Sequence, residues 1–342
     1  MDFGIFTNFH IRRGMTPAEA FEESFSQVKE AEEMGIDTVW LAEVHFAPER
    51  SMLASPMVIA SALAARTSRI RIVLAVQVLP LTNPLRIAEE AATVDHISQG
   101  RFDFGIGRSG STRFYLGYNV PYAESRGRFL EALEVIMKGW HEEKFSYEGE
   151  YYNYHDVAVV PKPYSKPHPP TRIAAASADT FPLAGKLGYP IFASTAIGPS
   201  QNKERVAEYR KVWKEAGHSI PDDVYLRLPA YVAETMEKAH SEPQASTLQQ
   251  LQYQVEERIA LAPSEEAAQR LRQAATMPYE EVLRSRVMYG TPEYCVERLQ
   301  EYKEELGISG VVLEINYGGQ IPYERVINSV RLLTEKVMPK FK

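Results

Sequence analysis

"RIRIVLAVQVLPLTNPLRIAEEAATVDHISQGRFDFGIG", Arg69 to Gly107, decides the fold. It opens on a near-continuous apolar run, "RIRIVLAVQVL". It then turns into a helical pattern, "NPLRIAEEAATVDHIS", and closes on a second apolar run, "RFDFGIG". Strands that are apolar along their whole length are buried on both faces, as in parallel sheets. The stretch therefore reads as strand, helix, parallel strand.

The same step recurs on both sides. "FGIFTNF" (Phe3–Phe9) is a strand, followed by the helix "TPAEAFEESFSQVKEAEEMG". Thr16 is placed to cap that helix, Pro17 to open it and Gly35 to stop it. "IDTVWLAE" (Ile36–Glu43) is the next strand, and Ser55-Pro56 starts the helix "SPMVIASALAARTS". Beyond Gly107 come the helix "ESRGRFLEALEVIMKGW", the strand "TRIAAAS" and a short helix ending near Gly188. The strand "PIFAST", the helix "QNKERVAEYRKVWKEAG" and the strand "YLRLPAYVAE" follow, and the strand "GVVLEIN" leads to the helix "YERVINSVRLLTEKV". Eight strands in 342 residues predict a closed (β/α)8 barrel of the TIM type, as one domain over residues 1–342. No G-x-G-x-x-G follows the first strand, which weighs against a dinucleotide-binding sheet.

Two segments interrupt the alternation. Residues 142–170, after the fourth helix, are aromatic and then proline-rich, and predict a β-hairpin around Glu148-Gly149 followed by extended chain. Residues 240–288, between strands seven and eight, are polar and helical. An insertion at the C-terminal rim of a barrel is where lids and substrate pockets are built.

Composition narrows the function classes. The net charge of −7, with no basic stripe, argues against a nucleic-acid partner. Cys295 is the only cysteine, so there is no internal disulfide and no cysteine-rich metal site. The histidine spacings of zinc sites, H-E-x-x-H and H-x-x-E-H, are absent, as is the G-x-S-x-G elbow of serine hydrolases. No stretch reaches the ~18 apolar residues of a membrane helix, and "MDFGIFTNFH" lacks the basic lead of a signal peptide. A cytoplasmic protein is expected.

Barrel active sites sit at the C-terminal strand ends. The residues expected there are Asn8, His10, Glu43, His45, Gln77, Arg108, Ser109, Ser177 to Thr180 and Asn316. In "VWLAEVHFAPE" (Val39–Glu49), His45 and Glu43 close a buried-looking strand, either as a solvated turn or as an acid–base pair. "GIGRSGS" leaves backbone N–H groups accessible beside Arg108, and "ASADT", Ala176 to Thr180, puts Ser177 and Thr180 at a helix start. A helix N-terminus with hydroxyls and an arginine suits one phosphate, while simple helix capping is the plainer reading of Ser177 and Thr180.

Taken together, "FGIF", "GIDTVWLAEVHF", "QVLPLTNPLRIAEEAATVDHISQGRFDFGIGR", "FSYEGEYY", "PKPYSKPHPPTRIAAAS", "YGTPEYCVERLQ", "GISGVVLEIN" and "VMP" resemble the bacterial luciferase family of flavin-dependent monooxygenases, most closely its α-type members. The resemblance runs nearly end to end. It implies reduced FMN, supplied by a separate flavin reductase, at the C-terminal rim. Arg108, Ser177 and Thr180 match the phosphate-binding positions, with Ala176 beside them, and Ala75–Val76 matches a non-prolyl cis peptide beneath the flavin ring. His45 matches the second of two adjacent luciferase histidines. The first is Val44 here, and valine transfers no proton, so light emission by the luciferase route is not expected.

The implied activity is oxygenation of a small organic substrate, a carbonyl or similar, through oxygen added at the flavin C4a position. The implied partners are oxygen, that substrate, the reductase and a second copy of the chain. An F420-dependent oxidoreductase sharing the barrel, or a non-catalytic flavin-binding partner subunit, is the alternative.

Overall fold

The computed structural model describes residues 1–195, 199–260, 262, 264–274 and 277–342. It opens with β1 (Asp2–Thr7) and α1 (Pro17–Glu33). Thr16 and Glu19 form a reciprocal cap: Glu19 N donates to Thr16 Oγ1 (3.3 Å) and Thr16 N to Glu19 Oε2 (2.7 Å). The chain leaves α1 through Gly35 at φ 104°, a conformation glycine adopts without strain. β2 (Thr38–Leu41) and α2 (Pro56–Arg66) follow. The single long strand expected from "RIRIVLAVQVL" is two: β3 (Arg71–Leu74) and β4 (Gln77–Val78). The peptide between them, Ala75–Val76, is cis, as the resemblance implied.

α3 (Pro84–Ser98), β5 (Phe102–Gly107), a short α4 (Thr112–Gly117) and α5 (Ser125–His141) come next. The expected hairpin is β6 (Phe145–Glu148) with β7 (Asn153–Val157), paired antiparallel. Then come β8 (Thr171–Ala175), α6 (Thr180–Leu187), β9 (Ile191–Ser194), α7 (Pro199–Ala216) and β10 (Val224–Val232). The expected helical insertion comprises α8 (Met236–Ser241), α9 (Gln244–Ala260), α10 (Glu265–Ala274) and α11 (Tyr279–Ser285); its residues 261, 263, 275 and 276 lie outside the described residues. β11 (Met288–Gly290), α12 (Pro292–Leu306), β12 (Gly310–Glu314) and α13 (Tyr323–Leu332) complete the chain. The sequence periodicity predicts neither α4 nor β11. Both are too short to show a period of their own.

The sheet runs β11-β10-β12-β1-β2-β3-β5-β8-β9, and the pairing of β9 with β10 closes it into the eight-stranded parallel (β/α)8 barrel. β4 adds to β5, and β11 adds to the end of β10. The chain divides into two compact units. The first comprises Met1–Val39, Ala47–Met52 and Ala175–Lys342; the second comprises Trp40–Phe46 and Leu53–Ala174.

In the first unit Phe9 packs on Phe21 and Phe25 of α1, with ring centroids 5.6 and 5.2 Å apart. In the second, Arg101 ties the end of α2 to the start of β5. It donates to Ala64 O (2.8 Å), Thr67 O (3.1 Å), Thr67 Oγ1 (2.9 Å), Ile70 O (3.1 Å) and Ser98 O (3.0 Å). Asp95, fully buried in α3, accepts from Ser165 N (2.7 Å) and Oγ (2.9 Å), which pins the proline-rich segment. Among the described residues no helix is long and apolar enough to cross a membrane.

The glycines of β5 are steric requirements. A Cβ on Gly105 would lie 1.6 Å from Leu74 O, and one on Gly107 3.1 Å from both Val76 methyls. β5 can thus lie against Leu74 only if position 105 lacks a side chain, whereas a side chain at 107 would press the Val76 methyls aside by a few tenths of an ångström. A Cβ on Gly110 meets nothing within 4 Å. Gly105→Ala is therefore expected to cost about 3 kcal/mol or more, and Gly110→Ala under about 0.5 kcal/mol. Chemical denaturation of the two variants checks this, and equal midpoints would refute the close-approach account.

Candidate active site

Glu43 and His45 follow β2 and project beyond its end. Burial of the Glu43 carboxyl pushes its pKa up, against the His45 and Val78 hydrogen bonds, which pull it down. Glu43 Oε2 accepts the Val78 N–H (2.9 Å) and Oε1 lies 2.8 Å from His45 Nε2. A carboxylate only accepts, so the proton between them sits on Nε2. His45 is enclosed by rings: Phe114 at 5.2 Å and Tyr118 at 4.9 Å, both edge-on, and Phe46 at 5.9 Å. Of the two readings of this stretch, the solvated turn does not hold: Glu43 and His45 are both buried. Val44 between them is buried as well, its N–H on Leu53 O (3.0 Å). Gln77, on β4, is buried too.

A second polar chain lies within the first unit, at the ends of β1 and β12. His10 Nδ1 is 2.8 Å from Arg50 O, so Nδ1 carries the ring proton; Nε2 faces Asn8 Nδ2 at 3.4 Å. Asn8 Nδ2 also donates to Glu314 Oε1 (3.3 Å), and Arg227 Nη2 donates to Glu314 Oε2 (2.7 Å). The Arg227 guanidinium lies 3.6 Å above the Phe6 ring. Burial lowers the His10 pKa, in keeping with a neutral ring. Asn8 Oδ1 is buried without a partner among the described residues. Asn8 and His10 were expected at this rim. Glu314 and Arg227 were not, although each is a charge inside an otherwise apolar strand, "GVVLEIN" and "YLRLP". Asn316 proves to brace its own turn, accepting Ile321 N at 3.1 Å.

The expected phosphate residues fall in different units, and each part stands by itself. Arg108 follows β5, half-buried; its Nη1 donates to Ser125 Oγ (3.2 Å) and its carbonyl accepts the Tyr115 hydroxyl. Ser109 Oγ accepts Ser111 N (3.2 Å). Ser177 Oγ lies 2.7 Å from Thr180 Oγ1 and donates to Asp179 Oδ1 (2.5 Å). Neither hydroxyl caps α6, whose N-cap position is Asp179 and carries no side-chain cap, so the capping reading fails. The Ala176 carbonyl accepts Arg205 Nη1 (2.9 Å). This set of hydroxyls and a cation suits an anionic oxygen, although Asp179 adds a negative charge beside Ser177. His96 is exposed on α3. Among the described residues no cluster of three or more His, Cys, Asp or Glu could hold a metal ion.

Comparison with known proteins gives a consistent result. An alkanal monooxygenase α chain of Photorhabdus luminescens is 34% identical over 190 residues, 56% of this chain and 52% of that one; the chain thus spans about half the length of this relative. Two solved structures share the fold. One is the FMN complex of the oxygenating constituent of 3,6-diketocamphane monooxygenase from Pseudomonas putida (TM-score 0.83, 19% identity, covering 100% of this chain and 99% of that one). The other is a coenzyme F420-dependent tetrahydromethanopterin reductase from Methanopyrus kandleri (TM-score 0.74, 19% identity, covering 100% and 99%). The luciferase-like monooxygenase family matches residues 1–310, and the chain belongs to it.

Proposed function

We propose that this chain is a flavin-dependent monooxygenase that uses reduced FMN, delivered by a separate reductase, and molecular oxygen to oxygenate a small organic substrate, a carbonyl or similar. The domain is the whole stretch 1–342. Family membership supports the reaction class. The observation that carries the reading is the buried Glu43–His45 pair at a strand end, with His45 Nε2 2.8 Å from one Glu43 oxygen and the Val78 N–H on the other. When bound, reduced FMN supplies the electrons that activate oxygen.

The chain's own residues bind, orient and move protons. Arg108 contributes a fixed positive charge, and Ser177 and Thr180 contribute hydroxyls, for the cofactor phosphate. Ala75, Val76 and Ala176 offer small, uncharged surface for the flavin. Glu43 holds His45 in one tautomer, so the pair can take up and return a proton. Val58, 66% exposed on α2, with Ala62 and Ala65 one and two turns on, supports pairing of two copies through that helix.

Four outcomes test this. Arg108→Ala removes a charge-assisted contact worth about 1.5–3 kcal/mol, so the affinity for reduced FMN should fall about 10- to 150-fold. Anaerobic titration with FMN and, in parallel, F420 measures it. Unchanged affinity removes the phosphate site, and preference for F420 replaces the monooxygenase with a reductase. His45→Gln keeps a donor toward Glu43 but cannot take a proton, so kcat should fall about 10²-fold.

Because the Glu43 pKa is raised, its carboxylate is lost as pH falls through a value above the ordinary ~4.3. The acid limb of kcat/KM should therefore lie above the usual carboxylate range, and a limb at or below it would exclude Glu43. In solution at micromolar concentration, light scattering should give the mass of two chains.

A further inference from the structure

The proton positions around His45 can be followed one bond further. Nε2 carries the ring proton toward Glu43, so in the neutral ring Nδ1 is a lone pair. Tyr118 Oη lies 3.2 Å from Nδ1, and the phenol O–H must be the donor. Both nitrogens of His45 are thus occupied, and the ring is only 5% exposed. Glu43 behind it is 8% exposed, whereas Tyr118 is 45% exposed. Of the three, only Tyr118 reaches the surface of its unit.

Its position is built in. Tyr118 ends α4, its N–H on Phe114 O (3.0 Å), directly after Gly117. A Cβ on Gly117 would stand 2.1 Å from Phe46 Cε2, so the Phe46 ring occupies the space a side chain would fill. Arg113 Nη1 holds the Phe46 carbonyl at 3.1 Å, and the Phe46 and Tyr118 rings lie 5.3 Å apart. Phe46 remains 51% exposed beside the phenol. The exposed Phe46 ring thus gives the Tyr118 ring an apolar neighbour.

We propose that Tyr118 is the catalytic group that exchanges a proton with the substrate, and that His45 and Glu43 act behind it as positioning residues. The proposal rests on the monooxygenase reading above and names the point where that site meets its substrate: an organic molecule with an apolar body and a proton-bearing oxygen. In the forward step the substrate O–H bond breaks and its proton bonds to Tyr118 Oη. The phenol's own proton passes at the same time to His45 Nδ1. Tyr118 ends as a neutral phenol, His45 as an imidazolium against the Glu43 carboxylate, and the substrate oxygen holds the electron pair. The reverse step returns one proton.

No tyrosinate forms on this path. That matters because burial and the charge of Glu43 both raise the Tyr118 pKa and disfavour the anion. The raised Glu43 pKa works in the same direction, since a proton reaching the pair neutralises a buried charge.

Tyr118→Phe deletes Oη and leaves the ring on Phe46 and His45, so folding should be preserved; the melting temperature checks this. The first readout needs no cofactor. In protein labelled with 15N-histidine, the His45 Nδ1 resonance should move from that of a hydrogen-bonded lone pair to a free one in Tyr118→Phe, with Nε2 unchanged. An unmoved Nδ1 would overturn the chain as drawn. The second readout uses pre-reduced FMN, oxygen, and two hydroxyketones, hydroxyacetone and 2-hydroxycyclohexanone, each bearing an O–H, as probes. Tyr118→Phe should lose about 10²-fold in kcat with KM nearly unchanged, and the double variant with His45→Gln should lose no more than either alone.

Full kcat in Tyr118→Phe, or multiplicative losses in the double variant, would refute the relay. If the native chain neither binds reduced FMN nor oxidises a probe, the monooxygenase reading fails instead. The Nδ1 resonance then still decides the hydrogen-bond chain by itself.

Discussion

A single buried carboxylate organises the candidate site. Glu43 is withdrawn from water, which is costly for an anion unless each oxygen is occupied. One oxygen takes the Val78 N–H at 2.9 Å and the other the His45 Nε2–H at 2.8 Å. The first bond ties the end of β2 to β4, the two-residue strand after the break at Ala75–Val76. The second sets the tautomer of His45 and, through it, the direction of the Tyr118 hydrogen bond. Removing His45 outright would leave this carboxylate one donor short, at a cost of about 1–3 kcal/mol. The histidine therefore supports the fold through that carboxylate.

Close backbone approach is the second constraint, and it changes the meaning of "GIGRSG". Gly105 and Gly107 read as an open, anion-accessible turn in the sequence. In the fold they are the places where β5 presses against Leu74 O and the Val76 methyls. The same applies to Gly117, where the missing Cβ is replaced by the Phe46 ring. In both cases a glycine at a strand or helix end makes room for a neighbour that carries or frames a polar group.

Much of the architecture was legible because its signals are local. Thr16-Pro17 starts α1 where the capping pattern puts it, and Gly188 ends α6 in the left-handed conformation. The apolar runs mark the parallel strands because both faces of each are covered. The Glu43–His45 pair was legible for a related reason: two ionisable groups two residues apart at the end of an apolar strand share a face. Tyr118 was not legible. It lies 73 residues from its partner His45, at the C-cap of a six-residue helix with no amphipathic period, and only the folded chain brings the two together.

Glu314 and Arg227 show the limit from the other side. Each sits in a strand whose burial is nearly complete, and a pattern that scores apolar content passes over one charge in five or nine residues. Their pairing follows from register: on neighbouring strands Arg227 stands opposite Val312, two residues from Glu314. A diagonal of that size is within reach of a long guanidinium side chain. The Phe6 face under the guanidinium and the Asn8 amide on the carboxylate then complete a pair of a half-buried guanidinium with a buried carboxylate. A lone charge in an apolar strand is thus better read as half of an interaction whose other half lies on the next strand, and parallel register says where to look for it.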